Sequence, residues 1–226
     1  MDGVQLAAEL DPPVGAAVVA GLDDPALGDG RLRDVFGEGR GDVLDRALCR
    51  EIEAARPYFV EDPLRSENPD SYRMLRARTG VPLAAGEQFG SKSEFRQLIE
   101  EELIDYTRLD VGVVAGLTEA KKIAAMAETH CIRLATHNPL GPVTAASSLQ
   151  LNLTCPNVAV QEHQAEPEAV VAGLFTVRPT VLPGRIERNA VPGIGVDIDR
   201  KEARRYQAVA DERPHLRTAD GAFINW

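Results

Sequence analysis

Five polar residues that could do metal or acid–base chemistry follow short apolar runs at nearly constant spacing. The steps from one to the next are 26, 23, 27 and 25 residues. Carboxylates are the ligands that hard divalent cations prefer, and an imidazole oriented by a carboxylate can take a proton from carbon. The spacing therefore makes a shared site worth proposing. The five residues are Glu61, Glu87, Asp110, His137 and Glu162.

The elements that must position these residues are strands and helices in alternation. Each apolar run has the length of a strand, and each interval after it holds one amphipathic helical pattern. In a parallel barrel the carboxyl ends of all strands meet at one face, so the five side chains would share one mouth. The chain has 226 residues, whereas a complete eight-unit barrel has about 250. We therefore predict an α/β fold, an incomplete (β/α) barrel, whose exposed sheet edges favour a homo-oligomer.

Three segments of the chain differ in how clearly they show this period. Residues 1–30 form a poorly defined N-terminal segment, residues 31–165 the barrel portion, and residues 166–226 an irregular C-terminal tail that packs on the barrel. Asp34 follows a weakly apolar run 27 residues before Glu61, so it fits the period and becomes a sixth candidate.

Local signals predict where several helices begin. Ser91 and Glu94 have the spacing of a capping box, and Asn68 precedes a proline at a first helical position. Thr118 is predicted to cap the next helix. The tail is predicted to hold one short helix near residues 199–210.

Composition and charge exclude several classes of protein. A net charge of −10 argues against nucleic acid or an anionic membrane as a partner. No apolar run approaches the roughly 20 residues of a membrane span, and the N-terminus lacks the pattern of a signal peptide. The three cysteines, Cys49, Cys131 and Cys155, are far apart and form no zinc pattern. They indicate a reducing, cytoplasmic location.

Three of the carboxylates make a candidate site for a hard divalent cation such as Mg²⁺. They are Asp34, Glu61 and Glu87, each directly after a predicted strand. For a single acid the plainer interpretation is a solvated loop residue, but three acids at a common period favour a metal site.

The histidine that follows the fourth of the five runs is a candidate general base. His137 could take a proton from a carbon acid, with Asp110 one strand earlier orienting its second ring nitrogen. A structural histidine is the alternative for His137. Glu162 could hydrogen-bond the substrate, or it could be a rim carboxylate in a salt bridge.

Motifs around these residues resemble those of a known family. They are Phe59-Val-Glu-Asp-Pro63, Ala85-Gly-Glu87, Arg108-Leu-Asp110 with Ala115-Gly-Leu-Thr-Glu119, Ala135-Thr-His-Asn-Pro-Leu-Gly-Pro142, and Val160-Gln-Glu162. Together they resemble the C-terminal barrel of the enolase superfamily, in the mandelate racemase and muconate lactonizing enzyme group. The Leu-Gly-Pro after His137 is most similar to the acid-sugar dehydratases of the galactonate dehydratase kind.

The resemblance implies an activity and a role for each candidate. Mg²⁺ would be held by Asp34, Glu61 and Glu87, and would bind the carboxylate of an aldonic or aldaric acid. His137, paired with Asp110, would remove the α-proton, and the metal would stabilise the resulting enediolate. Loss of the β-hydroxyl as water would give a 2-keto-3-deoxy acid. The last candidate, Glu162, would interact with the substrate carboxylate or with the enediolate.

The chain also departs from that family pattern. By this resemblance the sequence leaves no room for the N-terminal capping domain of the family, and the first two barrel strands of the family have no clear counterpart before Arg31. Phe36 stands where these dehydratases often carry a histidine thought to act as general acid. Two alternatives to the dehydratase therefore remain. One is a non-catalytic remnant of the superfamily, and the other is a racemase or cycloisomerase that shares only the proton abstraction.

Overall fold

The central element of the structure is a parallel sheet. The structure, a computed structural model, describes residues 52–54, 56–64, 68–139, 141–164, 173–206, 216–217 and 223–224. Five strands form the sheet in sequential order, and each neighbouring pair is parallel. Their bounds are β1 Val60–Glu61, β2 Leu83–Ala85, β3 Tyr106–Thr107, β4 Arg133–Thr136 and β5 Val158–Gln161.

A helix follows each of the first four strands, as the period predicts. Parallel neighbours in sequential order with a helix in every crossover are the arrangement of a (β/α) barrel wall. The α/β prediction is therefore confirmed for this part of the chain. The helices are α1 Pro69–Arg76, α2 Lys92–Glu100, α3 Leu117–Thr129 and α4 Pro142–Asn152.

The predicted helix starts have mixed outcomes. Asn68 caps α1, since its side chain accepts a hydrogen bond from the Asp70 N–H at 3.2 Å. Ser91 is the N-cap of α2 but makes no side-chain capping bond; the Glu94 carboxylate instead accepts from the Gly90 N–H at 2.8 Å. The Thr118 prediction is wrong, because Gly116 is the N-cap of α3 and its φ of 108° is one that glycine adopts without strain.

Side chains alternate between two apolar layers on the two faces of the sheet. Leu83 and Leu134 point outward into the main core against the helices, where Phe95 is among the fully buried residues. Ala84 and Ala135 point the other way into a smaller cluster that fills the inner face. Two-residue periodicity therefore separates a helix-facing core from the barrel interior.

The aromatic floor of the inner face lies below the carboxyl ends of the strands. Tyr58, Phe59 and Tyr106 form a tilted trio with ring centroids 5.3–5.6 Å apart. Such pairs add stabilisation beyond their buried area. They give the polar residues above them a rigid base.

The C-terminal tail contains short antiparallel pairs that the sequence prediction of an irregular tail missed. β7 Thr180–Leu182 pairs with β8 Arg185–Glu187 around Pro183-Gly184, where Gly184 has a φ of 75°. Proline followed by a residue with positive φ is the signature of a tight turn. The other elements are β6 Phe175–Val177, β9 Asp197–Ile198, α5 Arg200–Ala203, β10 Leu216–Arg217 and β11 Phe223–Ile224.

Several predictions lie wholly or partly outside the described residues. Asp34 and its strand are among them, as are the N-terminal segment and the end of the helix predicted at residues 199–210. Within the described part, β1 and β5 are the two edges of the sheet. The homo-oligomer stays a prediction. Among the described residues, no helix combines the length and apolarity that a membrane span requires.

The turn after β2 depends on a glycine that no other residue can replace without strain. Gly86 has a φ of 122°, and a Cβ there would lie 2.3 Å from Cε1 of the buried Phe95 ring. Gly116, with a φ of 108°, has nothing within 4 Å of the same position. Both glycines therefore have a positive φ, and they differ in their packing.

We predict that Gly86→Ala destabilises the fold more than Gly116→Ala. Both variants incur backbone strain of about 1–3 kcal/mol, and only Gly86→Ala adds an overpacking cost of roughly 1–3 kcal/mol. Urea denaturation measures both free energies of unfolding. Equal losses in the two variants would contradict the packing argument.

Candidate active site

The carboxyl ends of the five strands bring the predicted polar residues to one mouth. The backbone ladder continues past the strands and anchors them there. The His137 N–H donates to the Leu109 carbonyl at 3.0 Å, and the Glu162 N–H donates to the Thr136 carbonyl at 3.0 Å. The backbone of His137 and of Glu162 is therefore fixed by hydrogen bonds to a neighbouring strand.

Three carboxylates form the acidic cluster of the mouth: Glu61, Asp62 and Glu87. One oxygen from each lies within 4.8 Å of the others, and Asp62 Oδ1 is buried without a hydrogen-bond partner in the described part of the chain. A hard divalent cation accepts such an all-oxygen set. The residues present therefore fit Mg²⁺.

Burial and mutual repulsion change the acidity of this cluster. Burial, followed by the charges of Glu87 and Glu61, raises the pKa of Asp62 to about 7. Burial also raises the pKa of Glu61, and Arg108 opposes part of that change. Burial is the largest cause of both shifts, and repulsion from neighbouring carboxylates adds to each.

A histidine and an aspartate form a dyad beside the acidic cluster. His137 Nδ1 lies 2.9 Å from Asp110 Oδ2, and its Nε2 lies 3.4 Å from Glu87 Oε2. Asp110 is fully buried, and its other oxygen accepts the N–H groups of Gly112 and Val113 at 2.7 and 3.2 Å. The dyad therefore directs Nε2 toward the mouth while Asp110 is held rigidly behind it.

The hydrogen bond of the dyad moves the pKa values of both partners apart. Burial alone would raise the pKa of Asp110, but hydrogen bonds from His137, Val113 and Gly112 outweigh it, and the pKa is lowered. Burial alone would lower the pKa of His137, but Asp110 and the carboxylates of Glu87 and Glu162 outweigh it, and the pKa is raised. A carboxylate–imidazole pair with this polarity is suited to receive a proton on the histidine.

One arginine links opposite sides of the mouth. The Arg108 Nε–H donates to Glu61 and Nη2–H donates to Glu162, while Nη1–H donates to the Ala135 carbonyl at 3.0 Å. Its guanidinium also lies 5.9 Å from the centroid of the Phe59 ring. Arg108 is only 4% exposed, so these partners replace water almost completely.

The structure places most sequence candidates together and adds two residues. The mouth includes all five of the evenly spaced candidates, whereas Asp34 lies outside the described residues; their chemical roles stay predictions. Sequence reasoning gave no role to Asp62 or Arg108. The sequence signal for Asp62 was its position next to Glu61. In the structure, Asp62 has a φ of 38° and the chain turns there. The signal for Arg108 was a basic residue two positions before Asp110 among acidic strand ends.

Comparison with known proteins gives matches that agree with this geometry. Residues 42–203 match the family described as enolase C-terminal domain-like. A D-mannonate dehydratase of Sphingomonas is 36% identical over 184 residues, which is 79% of this chain and 45% of the relative. A D-galactonate dehydratase family member of Streptomyces bingchenggensis is 36% identical over 181 residues, 79% of this chain and 44% of the relative.

A solved structure supports the same assignment. An enolase from Pantoea ananatis with bound D-gluconate and magnesium is 33% identical, with a TM-score of 0.68 over 72% of this chain and 40% of that chain. The chain thus spans less than half the length of these relatives. The family match confirms the predicted resemblance and the barrel type, and the chain belongs to the enolase C-terminal domain-like family.

Proposed function

We propose that the chain carries the metal-binding and proton-abstracting part of a sugar-acid dehydratase. The observation that carries the proposal is the position of His137, with Nδ1 on Asp110 at 2.9 Å and Nε2 at 3.4 Å from the acidic cluster. A base must reach a carbon next to a carboxylate that is bound at the cluster. The short distance between His137 Nε2 and Glu87 Oε2 supports this arrangement.

The acidic cluster would hold Mg²⁺ through Glu61 and Glu87, together with Asp62 and with Asp34 as the predicted further ligand. When bound, the cation would neutralise the carboxylates and attract the carboxylate of a sugar acid. This supply of positive charge matters because the chain is acidic overall, with a net charge of −10. An anionic substrate would otherwise meet a repulsive surface.

The residues of the mouth then divide the reaction between them. His137 Nε2 takes the α-proton, and the electrons of the broken C–H bond move toward the substrate carboxylate. The electrons then form a double bond between the α- and β-carbons as the bond from the β-carbon to its hydroxyl breaks, and the hydroxyl takes a proton from solvent and leaves as water. The resulting enol loses its hydroxyl proton to solvent, gains a proton at the β-carbon and becomes a 2-keto-3-deoxy acid. The His137 imidazolium returns its proton to solvent. Asp110 stabilises the imidazolium during the first step. Glu162 faces the same space, with Oε2 4.0 Å from His137 Nε2.

The substrate class follows from the relatives. Their names include D-mannonate and D-galactonate, and the solved relative holds D-gluconate. The direct test incubates the protein with a panel of aldonic and aldaric acids and Mg²⁺ and measures 2-keto acid formation. Formation from at least one acid supports the proposal, and none from the whole panel contradicts it.

We predict that Mg²⁺ raises the melting temperature of the wild type and not of Glu87→Gln. A ligand that binds only the folded state stabilises it, by about 2.7 kcal/mol at one hundred times its Kd. Differential scanning fluorimetry with and without Mg²⁺ measures the change. Glu100→Gln, the same substitution on the exposed side of α2, should keep the full response. An unchanged response in Glu87→Gln would remove Glu87 from the ligand set.

We predict that Asp110→Asn lowers the pKa of His137, since an anionic partner that favours the imidazolium is lost. The wild-type pKa is raised, so the unprotonated base is populated at lower pH in the variant than in the wild type. NMR titration of the His137 ring in EDTA-treated protein measures both values. Identical titration curves would show that Asp110 does not control this histidine.

We predict that His137→Asn reduces exchange of the substrate α-proton with deuterium by about 10²–10⁴-fold, the usual contribution of a positioned base. Proton NMR in D₂O follows exchange and water loss in the same sample. His130→Asn, at the C-terminal end of α3, is the matched control and should retain the wild-type rate.

The same experiment separates the dehydratase from its alternatives. We expect exchange to exceed dehydration, because Phe36 stands where a general acid is expected. Exchange without any water loss would favour the racemase or cycloisomerase. Exchange that survives His137→Asn would exclude His137 as the base.

A further inference from the structure

Arg108 makes three different contacts with three different nitrogens, and each reaches a different part of the mouth. Nε binds Glu61 at the end of β1, Nη1 binds the Ala135 carbonyl on β4, and Nη2 binds Glu162 after β5. The guanidinium therefore joins one member of the acidic cluster to a carboxylate that lies outside that cluster.

Only an arginine can make this set of contacts. A guanidinium presents five donors in a fixed plane, whereas the ammonium of lysine is a compact charge on a flexible stem. Because Arg108 and Glu61 are 4% and 5% exposed, water cannot replace a lost contact between them. A change of donor geometry at Arg108 must therefore alter how the Glu61 carboxylate is held.

The contact of Arg108 Nη2 restrains the Glu162 carboxylate, which lies beside His137. Glu162 Oε2 accepts from Arg108 Nη2 and from the Asn138 N–H at 3.2 Å, and it lies 4.0 Å from His137 Nε2. Two donors thus hold this oxygen just outside hydrogen-bond distance of the histidine. Without them Glu162 would be free to close on Nε2.

We propose that Arg108 is a positioning residue that couples the acidic cluster to Glu162 across the mouth. It holds Glu61 in the cluster orientation and keeps Glu162 off His137. This inference rests on the proposed function, since it concerns the site at which Mg²⁺ would bind. Partners that orient metal ligands without touching the metal typically contribute about 10–100-fold to metal affinity.

The test measures the Mg²⁺ affinity of Arg108→Lys by isothermal titration calorimetry without substrate. This substitution keeps the positive charge, so a purely electrostatic role would leave the affinity unchanged. The positioning role predicts an affinity about tenfold weaker, because one ammonium cannot satisfy all three acceptors. Arg76→Lys is the matched control: Arg76 pairs with Asp105 at 2.9 Å at the other end of the strands, and its loss should leave Mg²⁺ affinity unchanged.

A second variant keeps the proposal testable if Arg108→Lys does not fold. Glu162→Asp retains the charge but withdraws the carboxylate from Nη2, and the Glu162 side chain is already one-third exposed. We expect Glu162→Asp to weaken Mg²⁺ binding, but less than Arg108→Lys does, although Glu162 is not a member of the acidic cluster.

The outcomes distinguish this inference from the proposed function. Weaker binding in Arg108→Lys, or in Glu162→Asp where the lysine variant does not fold, supports the coupling when Arg76→Lys is unchanged. Wild-type affinity in Arg108→Lys, or in Glu162→Asp where the lysine variant does not fold, overturns the coupling and leaves the proposed function standing. A wild type that binds no Mg²⁺ overturns the proposed function, and the coupling with it.

Discussion

The alternation of side chains along parallel strands is the constraint on which this structure depends. Phe59, directly before β1, and Ala135, on β4, fill the inner face and lie two positions before Glu61 and His137. The same alternation takes Tyr106 to Arg108 and then to Asp110. The apolar side chains of the floor and the polar side chains of the mouth therefore lie on the same inner face of the sheet, one after the other along the strands. The layer of helices on the other side of the sheet supplies the core that keeps these strands in register.

The mouth concentrates more negative charge than its own cations balance. Five carboxylates surround one guanidinium and one imidazole. Burial, followed by the charges of Glu87 and Glu61, raises the pKa of the Asp62 carboxyl to about 7. Such a site is unfavourable for folding without a counter-ion, because like charges at short range oppose each other in a poorly solvated space. The same imbalance is what makes the site receptive to a divalent cation and to the acid end of a substrate.

The regular part of this arrangement could be read from the sequence, and the irregular part could not. The nearly constant spacing of the apolar runs is visible in the sequence and marks the strand ends, which is enough to locate Glu61, Asp110 and His137. Glu87 reaches the mouth only because Gly86, with a φ of 122°, breaks the alternation that starts at Ala84. Pairings among side chains, such as the three contacts of Arg108, depend on distances between strands that no linear pattern contains.

The sequential order of the strands has a consequence for how the chain folds during its synthesis. Within the five-stranded parallel sheet, β2 to β5 each pair with the strand made just before, so each new strand–helix unit has a finished template when it leaves the ribosome. At about 5–20 residues per second, a unit emerges every few seconds, far longer than local helix and strand formation requires. The barrel wall can therefore grow unit by unit from its N-terminal side. Glu162, directly after β5, is then the last of the five evenly spaced candidates to reach the mouth.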